Sequence, residues 1–272
     1  MKLFKNIFLC TLIVFMSSCV RNRQIIYLQN LEGQPRVEEG ELITYDIPEY
    51  KLQYNDIIDV NVKTGDEEVN QQFSAQAIAG AGMGMAGGQM AGQGGGDIYY
   101  MTGYTVNRDG NIRLPILGNI RVQDLTIEES RIAIEERLKQ YATNEVYVKV
   151  KLGGIRYSAL GEFRRPGKFV VLQDRMTILE AIAHAGDMTT VARRDEVVLV
   201  RQYPEGTRVY RLNLNDINII RSPFYFIQPN DQIYAEPLKQ REWGTGENAA
   251  QSLSIAVTSL TALIVILNFF TR

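Results

Sequence analysis

The chain has 272 residues, a formal net charge of −2, two cysteines and one histidine. Its 29 basic and 31 acidic residues are interspersed, so no basic face that would follow nucleic acid is expected. The cysteine and histidine counts are too low for a metal site of those ligands, and nothing in the composition calls for a cofactor. The length allows one or two small domains with cores of their own.

The N-terminus has the pattern of a bacterial lipoprotein signal. Two lysines precede an apolar run at 7–15, which is too short to span a bilayer, and small residues then lead to Cys19. This order resembles the lipobox, whose cysteine is lipidated and becomes the first residue of the mature chain. We therefore predict a signal peptide over 1–18 and a lipid on Cys19. An ordinary signal peptide with a chance cysteine is the alternative.

A first structured unit is predicted over 48–152, after a polar, lipid-linked tether at 19–47. Its first strand carries apolar side chains at alternate positions from 58 to 62. A stretch at 74–97 that has no charged residue before Asp97, and that is rich in glycine, alanine, methionine and glutamine, follows it. Because glycine disfavours a helix, this stretch is predicted to be a mobile insertion on the surface. Closely packed membrane helices, which the glycine at every fourth position from 80 to 96 would suit, are the alternative.

Turn and capping signals predict the secondary structure of the rest of this unit. Asp109-Gly110 predicts a hairpin turn between strands at 104–106 and 111–114. Thr126 and Glu129 have the spacing of a capping box, which predicts the start of a helix. The buried stripe of this helix is predicted to comprise Ile127, Ile134, Leu138 and Tyr141. A strand with alternate buried residues follows at 146–152.

The second unit, predicted over 153–238, repeats this plan. Two strands flank a turn at 165–167, and a second capping box, Thr177 and Glu180, begins a short helix that ends at Gly186. Further strands are predicted at 196–201, 208–214, 224–227 and 232–234. Both units are therefore expected to be small mixed sheets covered by one helix, an α+β fold.

The order of these motifs resembles a known family. The patterns at 50–62, 109–118 and 145–148 are similar to the polysaccharide biosynthesis/export domain of bacterial outer-membrane export lipoproteins. The pattern at 160–186 resembles the SLBB module, a β-grasp fold that accompanies this domain. Asn55 stands where the family usually has glycine, which puts the local turn in question.

The resemblance implies a function and a set of partners. Several copies would form a ring, held in the outer membrane by lipid, with the body of each copy in the periplasm. A capsular polysaccharide or exopolysaccharide would pass through the centre. An inner-membrane polysaccharide co-polymerase, often a tyrosine kinase, would be the partner. Nucleic acid is not among the expected partners.

A membrane helix is predicted at 249–272, after a linker at 239–248. At about 1.5 Å per residue, such a segment is long enough to cross a hydrocarbon core of about 30 Å. The predicted pore-lining residues are its polar stripe, Ser254, Thr258, Thr261 and Asn268. The predicted lipid-facing residues are Leu253, Leu260, Ile264 and Leu267. Hydroxyl groups can also bond to their own helix backbone, so a plain membrane anchor is the alternative.

Catalytic residues are scarce in this sequence. His184 lies at the predicted end of a helix, where a structural role is expected. The acids that can be placed, Asp109, Glu129 and Glu180, have turn or capping roles. No catalytic or metal-binding residue is predicted, and the expected function is a homo-oligomeric export translocon rather than an enzyme. A periplasmic adaptor that binds glycan without forming the pore and an envelope glycan hydrolase are the alternatives.

Overall fold

The computed structural model describes residues 22–45, 49–73, 100, 102–141, 145–238 and 249–270. Two separate hydrophobic cores divide the described body into a first unit, up to Leu152, and a second unit from Ile155 onward. Each unit has a sheet and a helix, which confirms the α+β prediction. The insertion at 74–97, the linker at 239–248 and Cys19 lie outside the described residues.

The first unit is built on a three-stranded antiparallel sheet and a separate two-stranded ribbon. Its strands are β1 (Ile57–Thr64), β2 (Tyr104–Thr105), β3 (Asn111–Leu114), β4 (Gly118–Arg121) and β5 (Val146–Leu152), and its helix α1 is Ile127–Leu138. The sheet has the order β2-β1-β5, and β3 pairs with β4. A further helical segment lies at 67–73.

The alternating pattern of β1 and β5 produces the core of this sheet. Val60 pairs with Val150 and Val62 pairs with Val148, and all four side chains are buried. Residues between them, such as Tyr147, face outward and are exposed. The predicted inward and outward faces of β5 are thus confirmed, because neighbouring residues of a strand point to opposite faces.

The Asp109-Gly110 turn forms, but the predicted hairpin across it is wrong. The side-chain oxygen of Asn107 accepts hydrogen bonds from the backbone N–H groups of Asp109 and Asn111, at 3.0 and 2.9 Å. Yet β2 pairs with β1, and β3 pairs with β4, a strand the sequence did not predict. The chain can reverse directly after Pro115 because Gly118, at φ +70°, accepts the left-handed conformation that the reversal requires.

Helix α1 begins as predicted and ends earlier than predicted. The hydroxyl of Thr126 accepts from the Glu129 backbone N–H at 3.2 Å, and the Glu129 carboxylate accepts from the Thr126 N–H at 2.8 Å. Ile134 and Leu138 are fully buried, as expected. Tyr141 was expected in the same stripe but is exposed, because the helix ends at Leu138 and its periodicity ends with it.

The second unit is a five-stranded sheet with one short helix. Its strands are β6 (Ile155–Gly161), β7 (Gly167–Val171), β8 (Val197–Tyr203), β9 (Gly206–Leu212) and β10 (Asp231–Ala235), and its helix α2 is Ile178–His184. The order is β7-β6-β10-β8-β9, with β10 parallel to β6 and the other neighbours antiparallel. The capping box of Thr177 and Glu180 is present, as predicted.

The predicted strand at 224–227 is wrong. A 3₁₀ helix at Ile217–Arg221 precedes this stretch, and only an isolated bridge joins Phe226 to Thr177. Pro223 has no N–H to donate to a ladder, which disfavours a strand at this point. The stretch instead packs the side chains of Phe224 and Tyr225 against the core of the second unit.

The described part of the predicted tether, 22–45, lies against the second unit. The Leu28 N–H donates to the Leu214 carbonyl at 3.2 Å, and the Tyr27 hydroxyl donates to the Asp187 carboxylate at 2.7 Å. Both side chains pack on the core of the second unit. The segment has little regular structure, as a polar sequence predicts, but it is bound rather than free.

Helix α3 is Ala249–Phe270, which confirms that this segment is helical. Across the ranges that the structure describes, none of the helices combines the length and the apolar character needed to cross a membrane. The predicted transmembrane crossing is therefore not confirmed.

A buried ion pair ties the second unit's sheet together. Arg201 of β8 donates from Nε and Nη2 to the two carboxylate oxygens of Asp231, at 3.0 and 2.7 Å. The side chain of Arg201 is 4% exposed and that of Asp231 is 0% exposed. Arg201 also donates to the Phe226 carbonyl, and Asp231 accepts from the Gln228 N–H. The pair thus fixes the irregular stretch before β10 as well as the strands.

We predict that Arg201→Ala lowers the free energy of unfolding by about 3–5 kcal/mol, because it leaves the Asp231 carboxylate buried without its counter-ion. Urea unfolding followed by circular dichroism measures the loss. Arg208→Ala is the matched control, since Arg208 pairs with Glu205 at a similar 2.8 Å but at the surface. Its cost should stay below about 1 kcal/mol. Equal costs for the two variants would contradict the assignment.

Candidate functional site

The structure offers two candidate sites: the predicted stripe on α3 and a cleft where the two units meet. On α3, the four predicted pore-lining side chains are exposed: Ser254, Thr258, Thr261 and Asn268. Of the predicted lipid-facing residues, Leu260 and Ile264 are also exposed and Leu267 is half-buried, while the side chain of Leu253 lies outside the description. Exposure alone therefore does not separate the two sets.

The hydroxyl groups of the stripe find partners within the helix. Thr258 Oγ1 donates to the Ser254 carbonyl at 2.7 Å, and Thr261 Oγ1 donates to the Val257 carbonyl at 2.7 Å. Threonine makes this bond to the preceding turn in many helices. The protons of both hydroxyls are satisfied without water, so the stripe does not by itself require a water-filled lumen.

The stripe is also narrow. At 100° per residue, its four members fall within an arc of about 80°, and the centre of the predicted lipid-facing set lies about 110° away. Val265 falls inside the polar arc and is 62% exposed. The two sets therefore occupy neighbouring sides of α3 rather than opposite ones, and the polar side is not continuous.

Where the two units meet, Asp56 is buried with a full set of partners. Its carboxylate accepts from the Tyr50 hydroxyl at 2.7 Å and from the Gln53 N–H at 2.8 Å. Its second oxygen faces the side-chain amide of Asn230, which donates across the junction at 3.4 Å. Asp56 is 1% exposed. One carboxylate thus connects the start of the first unit with the turn before β10.

Burial controls the protonation of this group. Removal from water raises the pKa of Asp56 to about 6, although the hydrogen bonds from Tyr50 and Gln53 oppose the shift. Burial and the adjacent Asp56 carboxylate also raise the pKa of Tyr50, so that the phenol stays protonated and continues to donate. The contact between Asp56 and Asn230 could not be predicted from the sequence, because the two residues lie 174 positions apart.

A cleft of about 520 Å³ opens beside this contact. The first unit contributes the residues around the start of β1 and β2, and the second unit contributes β6, β7 and the neighbouring strand ends. The polar side chains from the second unit are Arg156, Ser158, Lys168, Gln202, Asn230 and Gln232. With Asn55 of the first unit, two cations and four amides share this space, and among the described lining residues none is acidic.

His184 has the structural role that its position predicts. Its Nδ1 lies 3.2 Å from the Tyr157 hydroxyl, and that hydroxyl also donates to the Ala181 carbonyl at 2.7 Å. The carbonyl of His184 accepts from Arg165 at 2.6 Å, which satisfies a free acceptor at the end of α2. Within the described ranges, no group of three or more histidine, cysteine, aspartate or glutamate residues could hold a metal ion.

Comparison with protein families identifies both units. A model described as polysaccharide biosynthesis/export protein matches residues 45–153, and the SLBB domain model matches residues 160–212. The chain belongs to the polysaccharide biosynthesis/export family. The first match contains β1 to β5, and the second runs from the end of β6 to the end of β9.

Membership places the chain in polysaccharide export, in a family that is associated with the cell envelope and is typically not enzymatic. Asn55 departs from the family pattern, which usually has glycine at this position. This residue adopts φ +71°, and its N–H donates to the Val106 carbonyl at 2.9 Å. Asparagine tolerates this left-handed conformation better than most residues, so the turn keeps its shape without glycine.

The raised pKa of Asp56 predicts a pH-dependent stability. Because the folded chain holds this proton more tightly than the unfolded chain does, stability should fall as the pH rises from about 4 through about 6. A shift from 3.8 to about 6 corresponds to roughly 3 kcal/mol at neutral pH. Asp56→Asn keeps a hydrogen-bond acceptor but does not titrate. The free energy of unfolding of this variant, measured with urea, should therefore not show this decrease between pH 4 and pH 6.

The control is Asp109→Asn, an exposed turn residue, whose pH profile should follow the wild type. Burial also raises the pKa of Asp59 and Asp231, so the quantity to compare is the difference between variant and wild type at each pH. A difference that stays constant from pH 4 to pH 7 would contradict the assignment to Asp56.

Proposed function

We propose that this protein forms a homo-oligomeric translocon that carries a capsular polysaccharide or exopolysaccharide across the outer membrane. The observation that carries the proposal is the apolar surface of α3. Its large apolar side chains are 39–80% exposed along the helix: Ile255, Val257, Leu260, Leu263, Ile264, Val265, Ile266 and Phe269. Contiguous apolar surface of this extent is unfavourable in water and marks a site of contact.

We propose that copies of the same helix in neighbouring subunits pack against this apolar surface. A helix that contributes to the wall of a water-filled passage needs apolar residues on the side away from the passage only. The four polar residues of the stripe share one side of α3, and the predicted lipid-facing residues lie on the neighbouring side, which suits that arrangement. The serine and threonine residues of the stripe are small enough for neighbouring helices to approach closely. The proposal thus places α3 at the outer membrane as part of an assembled wall, not as a lone span.

The family membership supports the remaining parts of the proposal. The lipid on Cys19 would hold each copy at the outer membrane, with both units in the periplasm. The inner-membrane co-polymerase, often a tyrosine kinase, would deliver the polymer to the ring. The family's role in polysaccharide export and the lipobox pattern support these parts of the proposal.

Single cysteines on α3 test whether its polar side meets water. Cysteine at Thr258 or Thr261 should react with a membrane-impermeant thiol reagent in intact cells, because both positions would line the passage. Cysteine at Leu260 or Ile264 should be protected by lipid or by neighbouring helices. The only native cysteines are Cys10 and Cys19, within the predicted signal and at the predicted lipid site. Equal labelling at all four positions would refute the pore-lining assignment.

A glycan-binding adaptor is the second candidate, and the threonine hydroxyls favour it. Because both hydroxyls bond within α3, the helix could anchor the protein without lining any passage. Deleting all residues after Trp243 separates the candidates. If the protein is a translocon, cells that carry the shortened protein should lack surface capsule, while the body of the protein remains folded and attached to the membrane. Normal surface capsule in cells that carry this variant would refute the translocon and leave the adaptor as the proposed function.

A further inference from the structure

The N-terminal segment and the second unit meet along one stretch of chain. We call residues 22–45 the strap and residues 214–226, which follow β9, its dock. Gln29 is bonded on both sides: its N–H donates to the Asn215 carbonyl at 2.6 Å, and its carbonyl accepts from the Ile217 N–H at 3.0 Å. The strap is therefore placed on the dock by backbone hydrogen bonds as well as by the side chains of Tyr27 and Leu28.

Contacts with the dock continue towards the C-terminal end of the strap. Arg221 forms a salt bridge with Glu41, and both side chains are about one third exposed. The Tyr45 ring then stacks on the Tyr225 ring with 5.7 Å between ring centroids. The strap is thus held at separate points along its length and joins no sheet.

Little of the strap is buried. All residues from 22 to 45 are exposed or half-buried, and the side chain of Leu42 is 86% exposed. Few buried apolar contacts and solvent-exposed hydrogen bonds are typical of segments that open before the rest of a protein unfolds. The strap therefore has the features of a segment that can detach while the sheets remain folded.

The contact between strap and second unit also leaves buried polar atoms without partners. In the part of the chain that the structure describes, five buried side-chain nitrogen and oxygen atoms have no hydrogen-bond partner in the protein. Four of them belong to this contact: Gln24 Oε1, Asn215 Oδ1, and Nε and Nη1 of Arg194. Each such atom loses the hydrogen bond that it would make in water. The docked state thus carries a cost that release of the strap would remove.

The charge of Arg194 makes it the costliest of these groups. The residue is 4% exposed, and its guanidinium lies 5.0 Å from the centre of the Tyr27 ring. Its Nη2 donates to the Met188 carbonyl at 3.3 Å. Tyr27 therefore covers the cation without supplying an acceptor for Nε or Nη1. Because burial of a charge costs more than burial of a neutral polar group, hydration of Arg194 favours the released state.

We propose that the strap is a reversible latch: it detaches from the second unit as one segment while both sheets stay folded, and hydration of Arg194 helps to open it. The bond from Tyr27 to Asp187 and the backbone bonds of Gln29 favour the docked state and oppose this hydration. The released strap of 24 residues could extend to about 80 Å. With the lipid on Cys19, which is part of the proposed function, release would let the body move away from the bilayer while it stays anchored.

Hydrogen exchange of the purified full-length protein in detergent tests whether the strap opens on its own. The amides of Leu28 and Gln29 donate to the second unit, and those of β8 donate within the sheet. The two strap amides should exchange at least about 100-fold faster than the β8 amides, because their exchange does not require the sheet to unfold. Equal rates for the strap and β8 would overturn the inference.

Arg194→Met tests the role of the buried cation. Methionine has no polar group that water would hydrate on release, so exchange of Leu28 and Gln29 should slow by about fivefold while β8 is unaffected. Arg193→Met is the matched control, because Arg193 pairs with Glu196 at 2.9 Å on the surface. It should leave strap exchange unchanged. A cation that merely holds the strap predicts faster exchange in Arg194→Met, so faster or unchanged exchange would refute the latch.

Tyr27→Phe tests the opposing contact. It removes the bond to Asp187 and keeps the ring over Arg194, so strap exchange should rise by about fivefold, with β8 unchanged. Asp187 would still accept from the Met188 N–H. Tyr147→Phe is the matched control, since Tyr147 is an exposed tyrosine of the first unit. Strap exchange equal to that of the wild type in Tyr27→Phe would contradict the latch.

The outcome is separable from that of the proposed function, because exchange measures neither assembly nor transport. Ring-shaped particles and normal export, with a strap that exchanges as slowly as β8, would remove the latch and leave the translocon. A strap that opens as expected, in a protein whose α3 can be deleted without loss of capsule, would retain the latch and remove the translocon.

Discussion

The turn at Asn230 and Asp231 holds the two units of the protein together. Asn230 donates across the junction to Asp56, and the next residue, Asp231, accepts both hydrogen bonds from Arg201 inside the second unit. A buried carboxylate is costly unless its oxygens are fully paired. Both carboxylates meet this condition through partners on either side of the turn, so the position of the turn is fixed from both directions.

The same contact shapes the cleft. Only Gly153 and Gly154 separate β5 of the first unit from β6 of the second. Gly154 has φ +89°, and a Cβ atom there would lie 2.9 Å from the Val171 carbonyl oxygen, so another residue would strain this crossing. A two-residue covalent connection and the bond between Asp56 and Asn230 together hold the walls of the cleft in place.

Local signals in the sequence predicted local structure well. Both capping boxes form, because each requires only two residues three positions apart. The alternation of apolar and polar residues in β5 also predicted its buried face correctly. Strand pairing was less predictable: the Asp109-Gly110 turn forms, but nothing within it specifies whether β3 pairs with the strand before it or after it.

Long-range contacts were the part that the sequence could not reveal. Asn230, the partner of Asp56 in the second unit, lies 174 residues away, and no spacing rule connects them. The cleft likewise depends on strand register across β7, β6 and β10, which brings Lys168 and Gln232 to either side of Ser158. The polar stripe of α3 was visible in the sequence, but the bonding of its hydroxyls to the helix backbone needed atomic positions.

The docked N-terminal segment changes what the lipid can do. The described chain begins at Asn22, three residues after Cys19, and from there it lies along the second unit. Three extended residues reach about 10 Å, whereas a free segment of the predicted tether length would reach about 90 Å. An acyl group on Cys19 would therefore be connected to the second unit by only a short segment of chain. It would hold the second unit at the bilayer surface and limit its tumbling, so that copies meet in two dimensions with their second units at a common height.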